Sequence, residues 1–204
     1  MPDYPSDIAF TPSVKAIQKQ RGSRDTYARM ERGRGWQTRV TTDLADFLAE
    51  LDMFYLGTCN AACQPYIQYR GGPPGFLKVI DDHTLGFADF SGNSQYISIG
   101  NLSENPKAFI FLMDYAASRR IKIWGKARVV DSDADLFERL ADPAYPGRVE
   151  RAILFTVEAW DVNCPQHIHK RFSQIQIASL VEKLQDRVRE LEDEVARLRA
   201  DRTR

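Results

Sequence analysis

Short apolar runs separated by turn residues fill the middle of this chain, and they predict strands. Residues 54–58, 66–70, 76–80 and 84–88 are divided by turn chemistry such as Asn60 with Ala61 and Asp81 with Asp82. The runs lie too close together for crossover helices, so an antiparallel arrangement is expected. Residues 108–113 read as a buried strand and 153–160 as another. Over 120–130, Arg120, Lys122, Trp124 and Lys126 alternate with Ile121, Ile123, Gly125 and Ala127, the period of a strand with two unlike faces. Six or seven such strands with a few helices point to a small closed or split barrel.

Helical periods frame these strands. Over 42–52, Leu44, Phe47, Leu48 and Leu51 make one apolar stripe, with Thr42 as the expected cap and Asp43 and Asp46 near the positive helix end. A short helix is expected after the turn Ser91, Gly92, Asn93, ending by about Leu102, before Asn105 and Pro106. Ser132 is the expected cap of a helix through Ala141. Residues 13–31 suit a helix capped by Ser13 and interrupted over 21–24, within a polar arm that spans 1–40 and lies on the surface or across a partner subunit. The barrel is then expected over 41–173 and a separate helix over 174–204. In that helix Ile177, Leu184, Leu191 and Leu198 recur every seven residues, with Val181, Val188 and Val195 between them. Valine at a and leucine at d favour a parallel two-stranded coiled coil, with Arg187 facing Glu192 and Glu194 facing Arg199. The other reading is a long helix packing back on the barrel.

The stretch 65–78, PYIQYRGGPPGFLK, carries the densest chemistry. Tyr66, Gln68 and Arg70 share one strand face, and Gly71 to Gly75 allow close backbone approach. Arg70 and Lys78 flank that turn, either as an anion site or as two solvated cations on a hairpin. Elsewhere Gln95, Asn101, Arg119, Arg120 and Lys122 sit near strand ends or turns. A phosphate dianion needs several such donors, because one exposed ion pair contributes only ~0–1 kcal/mol. Arginine matches phosphate oxygens best. The plainer reading of Arg120 and Lys122 is an edge strand guarded by charge.

Composition narrows the classes. The 28 basic and 28 acidic residues cancel, so there is no global field for nucleic acid. Three cysteines fit a reducing compartment rather than a disulfide framework. The N-terminus lacks the apolar core of a signal peptide, and no run approaches the ~18 apolar residues of a membrane span, so a cytoplasmic protein is expected. Cys164, His167 and His169 form a weak metal set with no evident fourth ligand, and a polar lid over a ligand suits the segment better, so no metal is assigned. The hydrolase, zinc-protease, Walker-type and dinucleotide motifs are absent, and no catalytic residue is assigned.

Five stretches, QPYIQYRGGPPGFLKV, LGFADFSGNSQYIS, NLSENPKAFIFLMDY, RRIKIWGKARVV and CPQHIHKRF, resemble the pyridoxamine 5′-phosphate oxidase-related FMN-binding split barrels over about residues 45–172. That resemblance implies a mainly β protein with α: a six-stranded split barrel with flanking helices, forming a homodimer with FMN at the subunit interface. Gln68, Arg70 and Lys78 would serve the ribityl-phosphate side. Gln95 and Asn101 match the phosphate-contact turn and helix. Arg120, with Lys122 beside it on the same strand face, would reach FMN from the opposite subunit. Arg171 matches an FMN-contacting arginine and His169 a substrate-side histidine. Asn93, Ser94 and Gln95 replace the oxidases' Arg-Lys pair, and His167 replaces their substrate-side arginine, which argues against oxidation of pyridoxamine phosphate itself. The expected function is an FMN-dependent oxidoreductase of unidentified substrate. The alternative is a non-catalytic module binding flavin, heme or deazaflavin as an electron carrier or sensor.

Overall fold

The computed structural model describes residues 3–162 and 166–202. They fall into two compact units, one of residues 1–114 with 119–166 and the other of 115–118 with 167–204.

Among the described residues, the first unit holds one antiparallel sheet of seven strands: β1 (Met53–Cys59), β2 (Pro65–Gly71), β3 (Lys78–Val79), β4 (Thr84–Phe90), β5 (Lys107–Asp114), β6 (Arg119–Val130) and β7 (Val149–Val162). Their order is β2-β1-β5-β6-β7-β4-β3, with β2 and β3 at its open ends. The mainly β expectation with antiparallel neighbours therefore holds. The six-strand count does not, because the two-residue β3 adds itself to β4 through Lys78 and Val79. Its neighbours Phe76 and Leu77 are buried in the core instead of extending the strand. β6 is central, paired with β5 and β7, so its charges do not guard an edge.

The alternation in β6 sets its faces: Ile121, Ile123 and Ala127 are buried, while Lys122 and Trp124 are only half-buried. With Phe54, Leu56, Ile110, Leu112, Phe87 and Phe155 they form the core. α3 (Thr42–Glu50) closes it with Leu44, Phe47 and Leu48. Its cap is Thr41, not Thr42: the Thr41 hydroxyl accepts from the Leu44 N–H at 3.3 Å, the reach of a side chain three residues back. The same offset moves the cap of α5 (Ala134–Leu140) from Ser132 to Asp133, whose carboxylate accepts from Leu136 N–H.

The 71–75 turn is held by the backbone that follows α3. Its Gly72 and Gly75 amides donate to Asp52 and Leu51 carbonyls, and Gly75 takes a φ of +74° against the Ala49 carbonyl. These glycines bring the loop onto the end of α3.

The N-terminal residues form α1 (Pro12–Gln20) and α2 (Arg24–Arg32), broken at 21–23 as expected, with Thr11 rather than Ser13 as first cap. They pack on their own sheet. Trp36 stacks on Trp124 at 4.6 Å, Gln37 bridges to Trp160, and Glu31 is buried with Arg24 and Ser6 as partners.

α4 (Ile97–Glu104) precedes β5 and stops at Asn105, before the proline. The second unit contains α6 (Gln174–Arg202), a single 29-residue helix.

Candidate functional site

Where β2 and β4 approach the start of α4, the first unit opens a cleft of about 150 Å³. Tyr66, Gln68 and Arg70 reach it from one face of β2, as their alternation requires. Asp89, on β4, meets them at a register shift between Asp89 and Phe90. Arg151 enters from β7, paired with Asp89 in the ladder. The third wall is the 92–96 turn, where Ser94 and Tyr96 adopt left-handed backbone and Gln95 N–H donates to the Asn93 side chain at 3.1 Å. That turn delivers Ile97, Ser98 and Ile99, the first turn of α4, to the cleft. Helix-start amides have no partner within their own helix and carry the positive end of its dipole.

Electrostatics here centre on Asp89, 5% exposed, whose carboxylate takes Arg70 on one oxygen and Arg151 on the other at 3.2 Å. Arg151 is further held by Glu150 at 3.3 Å and Asp131 at 3.6 Å, with its guanidinium over the Tyr96 ring. Arg70 is less fully engaged: its Nε is buried with no hydrogen-bond partner among the described residues. A buried donor left unpaired is costly and marks a place where a ligand acceptor fits. Ser98 donates to the Gln68 carbonyl oxygen at 2.6 Å and so fixes which way that amide points. Two guanidiniums, a fixed amide and a helix start can together hold a phosphate-sized anion.

Three of the residues expected from sequence, Gln68, Arg70 and Gln95, thus line one cleft. The others lie elsewhere. Lys78 sits on β3. Asn101 is buried and spends its amide on Thr58 at 3.0 Å. Arg120 has a buried, unpartnered Nε, like Arg70. Lys122 pairs with Asp161 at 3.6 Å and lies over Trp36 and Trp124. Burial lowers the Lys122 pKa and raises that of Asp161, each against the pull of its partner. Asp161 also borders a separate cavity of about 440 Å³ with Arg34, Gln37 and Arg119. In the second unit, His167 and His169 are exposed and Arg171 lies over the Tyr115 ring at 5.1 Å. Cys164, one of the metal candidates, lies outside the described residues. Among the described residues no cluster of three histidine, cysteine or acidic side chains could hold a metal.

Asp89 and Arg151 escaped the sequence reading. Asp89 is the lone charge in the apolar run LGFADF, a pattern that can flag a buried charge awaiting a partner. Arg151 gave no such signal, since it stands among charges at the start of a strand.

A mainly antiparallel β unit with an anion-suited cleft at a helix start is the class these features define. The chain belongs to the pyridoxamine 5′-phosphate oxidase family, whose model matches residues 40–164. Among solved structures it resembles HupZ of Group A Streptococcus, 18% identical, with a TM-score of 0.50, covering 65% of this chain and 98% of that one. That likeness concerns the fold alone. Looser likenesses, which carry no argument, are to an FMN-binding protein from Syntrophomonas wolfei and to HutZ, the heme storage protein of Vibrio cholerae. The first is 16% identical at a TM-score of 0.45, covering 73% and 97% of the two chains. The second is 16% identical at 0.40, covering 61% and 94%. No curated protein matches the chain.

Proposed function

We propose that this chain is an FMN-binding flavoprotein, an oxidoreductase of the pyridoxamine 5′-phosphate oxidase family that works as a homodimer. The observation that carries the reading is the buried, unpartnered Nε of Arg70 in a cleft walled by the first turn of α4. A phosphate oxygen supplies the acceptor that this N–H lacks. Gln68, Arg70 and Gln95, with Arg151, would hold the phosphate end. Asp89 keeps the guanidiniums in place when the cleft holds no anion. Arg120 has a second orphaned Nε and stands outside this cleft. Both facts suit a contact made to the flavin of the partner subunit. Bound FMN would supply hydride or electron transfer, while the protein binds, orients and tunes it. The substrate-side groups of this reading are His167 and His169. A reducing, cytoplasmic setting is part of this reading and rests on the low cysteine count of the sequence. No helix among the described residues is long and apolar enough to cross a membrane.

The test compares FMN with riboflavin. Wild-type protein is expected to be yellow as purified and to release FMN on denaturation. Arg70→Ala should weaken FMN by about 1.5–3 kcal/mol, roughly 10- to 150-fold, and leave riboflavin nearly unchanged. Equal losses for both flavins would show that Arg70 does not read phosphate. Recovery of heme or deazaflavin in place of FMN would overturn the cofactor.

A further inference from the structure

Along α6 the apolar residues Ile177, Val181, Leu184, Val188, Leu191, Val195 and Leu198, with Leu180 beside them at one end, are each between 43% and 58% exposed. They line a narrow stripe. The positions between them carry charge: Glu182, Lys183, Asp186, Arg189, Glu190 and Asp193. A helix that packs into a globular core needs a broader apolar face than this two-position seam. An isolated helix gains most of its stability from whatever covers such a stripe.

We propose that the stripe is the seam of a parallel two-stranded coiled coil formed with α6 of a second copy of this chain. The inference does not depend on the flavin reading. Valine at a and leucine at d favour two parallel strands. The charges choose the direction. With Leu184 and Leu191 at d, Arg187 and Glu194 occupy g, while Glu192 and Arg199 occupy e. In a parallel pair each g residue faces the e residue five positions on in the other helix. Arg187 then faces Glu192 and Glu194 faces Arg199, on both sides of the seam. In an antiparallel pair g faces g and e faces e. With Val188 set opposite Leu191, Arg187 meets Glu194, but Glu192 meets Gln185 and Arg199 meets Ala178. The parallel arrangement therefore pairs Arg187, Glu192, Glu194 and Arg199, and the antiparallel one only Arg187 and Glu194. Arg187 bonds Glu190 of its own helix at 2.8 Å, an exposed pair three residues apart that is readily exchanged or shared.

The test places cysteines in the full-length protein and joins them with a short thiol crosslinker, with products assigned by peptide mass against the native-cysteine background. Leu198→Cys should crosslink to its own counterpart at least several-fold faster than Asp193→Cys on the outer face. Adding Arg187→Glu should slow that reaction, because two acids then face each other, and adding Glu192→Arg should restore it. An antiparallel pair gives a different result, since residue 192 then faces Gln185 and restores nothing. Three results would each overturn the proposal: equal rates for Leu198→Cys and Asp193→Cys, coupling of Leu198→Cys only to Val181→Cys, or failure of the second charge change to rescue the first.

Discussion

Asp89 is the residue on which the cleft turns, because it is the shared anion between Arg70 and Arg151. Both guanidiniums are mostly buried, 12% and 16% exposed. Replacing Asp89 by Asn removes the carboxylate that Arg70 pairs with and one of three carboxylates on Arg151. Orphaning a buried charge costs about 3–5 kcal/mol, and partial exposure with the remaining carboxylates puts this case near the lower figure. Asp89→Asn is therefore expected to lose about 3 kcal/mol in urea denaturation without ligand. Added FMN should recover part of that loss, because phosphate replaces the missing negative charge. Unchanged stability would mean that the arginines are solvated and the cleft is not organised by Asp89. At this scale the sequence was half legible. Period-2 alternation aligned Gln68 with Arg70, since alternate residues in one strand share a face by geometry alone. Asp89 and Arg151 are brought to each other by pairing between β4 and β7, a long-range contact that no local pattern encodes.

Elements were more legible than their ends. The break between α1 and α2 at 21–23 and the stop of α4 before Pro106 follow from local backbone chemistry, which a sequence displays. Caps shifted by a residue or two because neighbouring Thr41 and Thr42, or Ser132 and Asp133, are chemically alike, and only the hydrogen bond chooses between them. The neighbour of the 71–75 turn was open in the sequence because glycine is equally needed for close approach to a ligand or to another helix; Gly75 lies against α3. Gly125 offers the sharper test of what sets the sheet. It lies at the register shift that follows Trp124 in β6, and an added Cβ would collide with the Thr156 carbonyl and the Phe155 ring. Phe155 is fully buried, so neither neighbour can move aside cheaply. Gly125→Ala should cost about 1–3 kcal/mol, as overpacking does. The measurement is the urea midpoint, with Gly100→Ala as a control, since nothing lies within 4 Å of a Cβ at that helical position. Equal midpoints for the two variants would show that the strand relaxes around the added methyl.

For the whole molecule, the heptad of α6 and the strand runs of the sheet were both visible, because each depends on a repeated spacing. The strand count was not, because it depends on whether two residues, Lys78 and Val79, join β4; nor was closure, since the expected barrel is an open sheet ending at β2 and β3. The two compact units suggest how ligand and self-association should act. A ligand that binds only folded protein stabilises it by about 2.7 kcal/mol at 100 times its dissociation constant. For a unit of this size each kcal/mol moves the melting point by roughly 2–4 °C. FMN at that excess should therefore raise the transition of the first unit by roughly 5–11 °C. Pairing of α6 with a second copy has a different signature, since its stability rises with protein concentration and not with FMN. Circular dichroism follows α6 together with the shorter helices α1 to α5 of the first unit, while the buried Trp160 and Trp36 report the first unit alone, so helicity lost apart from the tryptophan signal belongs to α6. The expected outcome is two transitions, of which FMN raises only that of the first unit, while protein concentration raises that of α6 and, through the proposed homodimer, that of the first unit as well. If FMN moves both together, the units unfold as one. If FMN moves neither, the flavin reading fails while the coiled coil stands or falls on the concentration dependence alone.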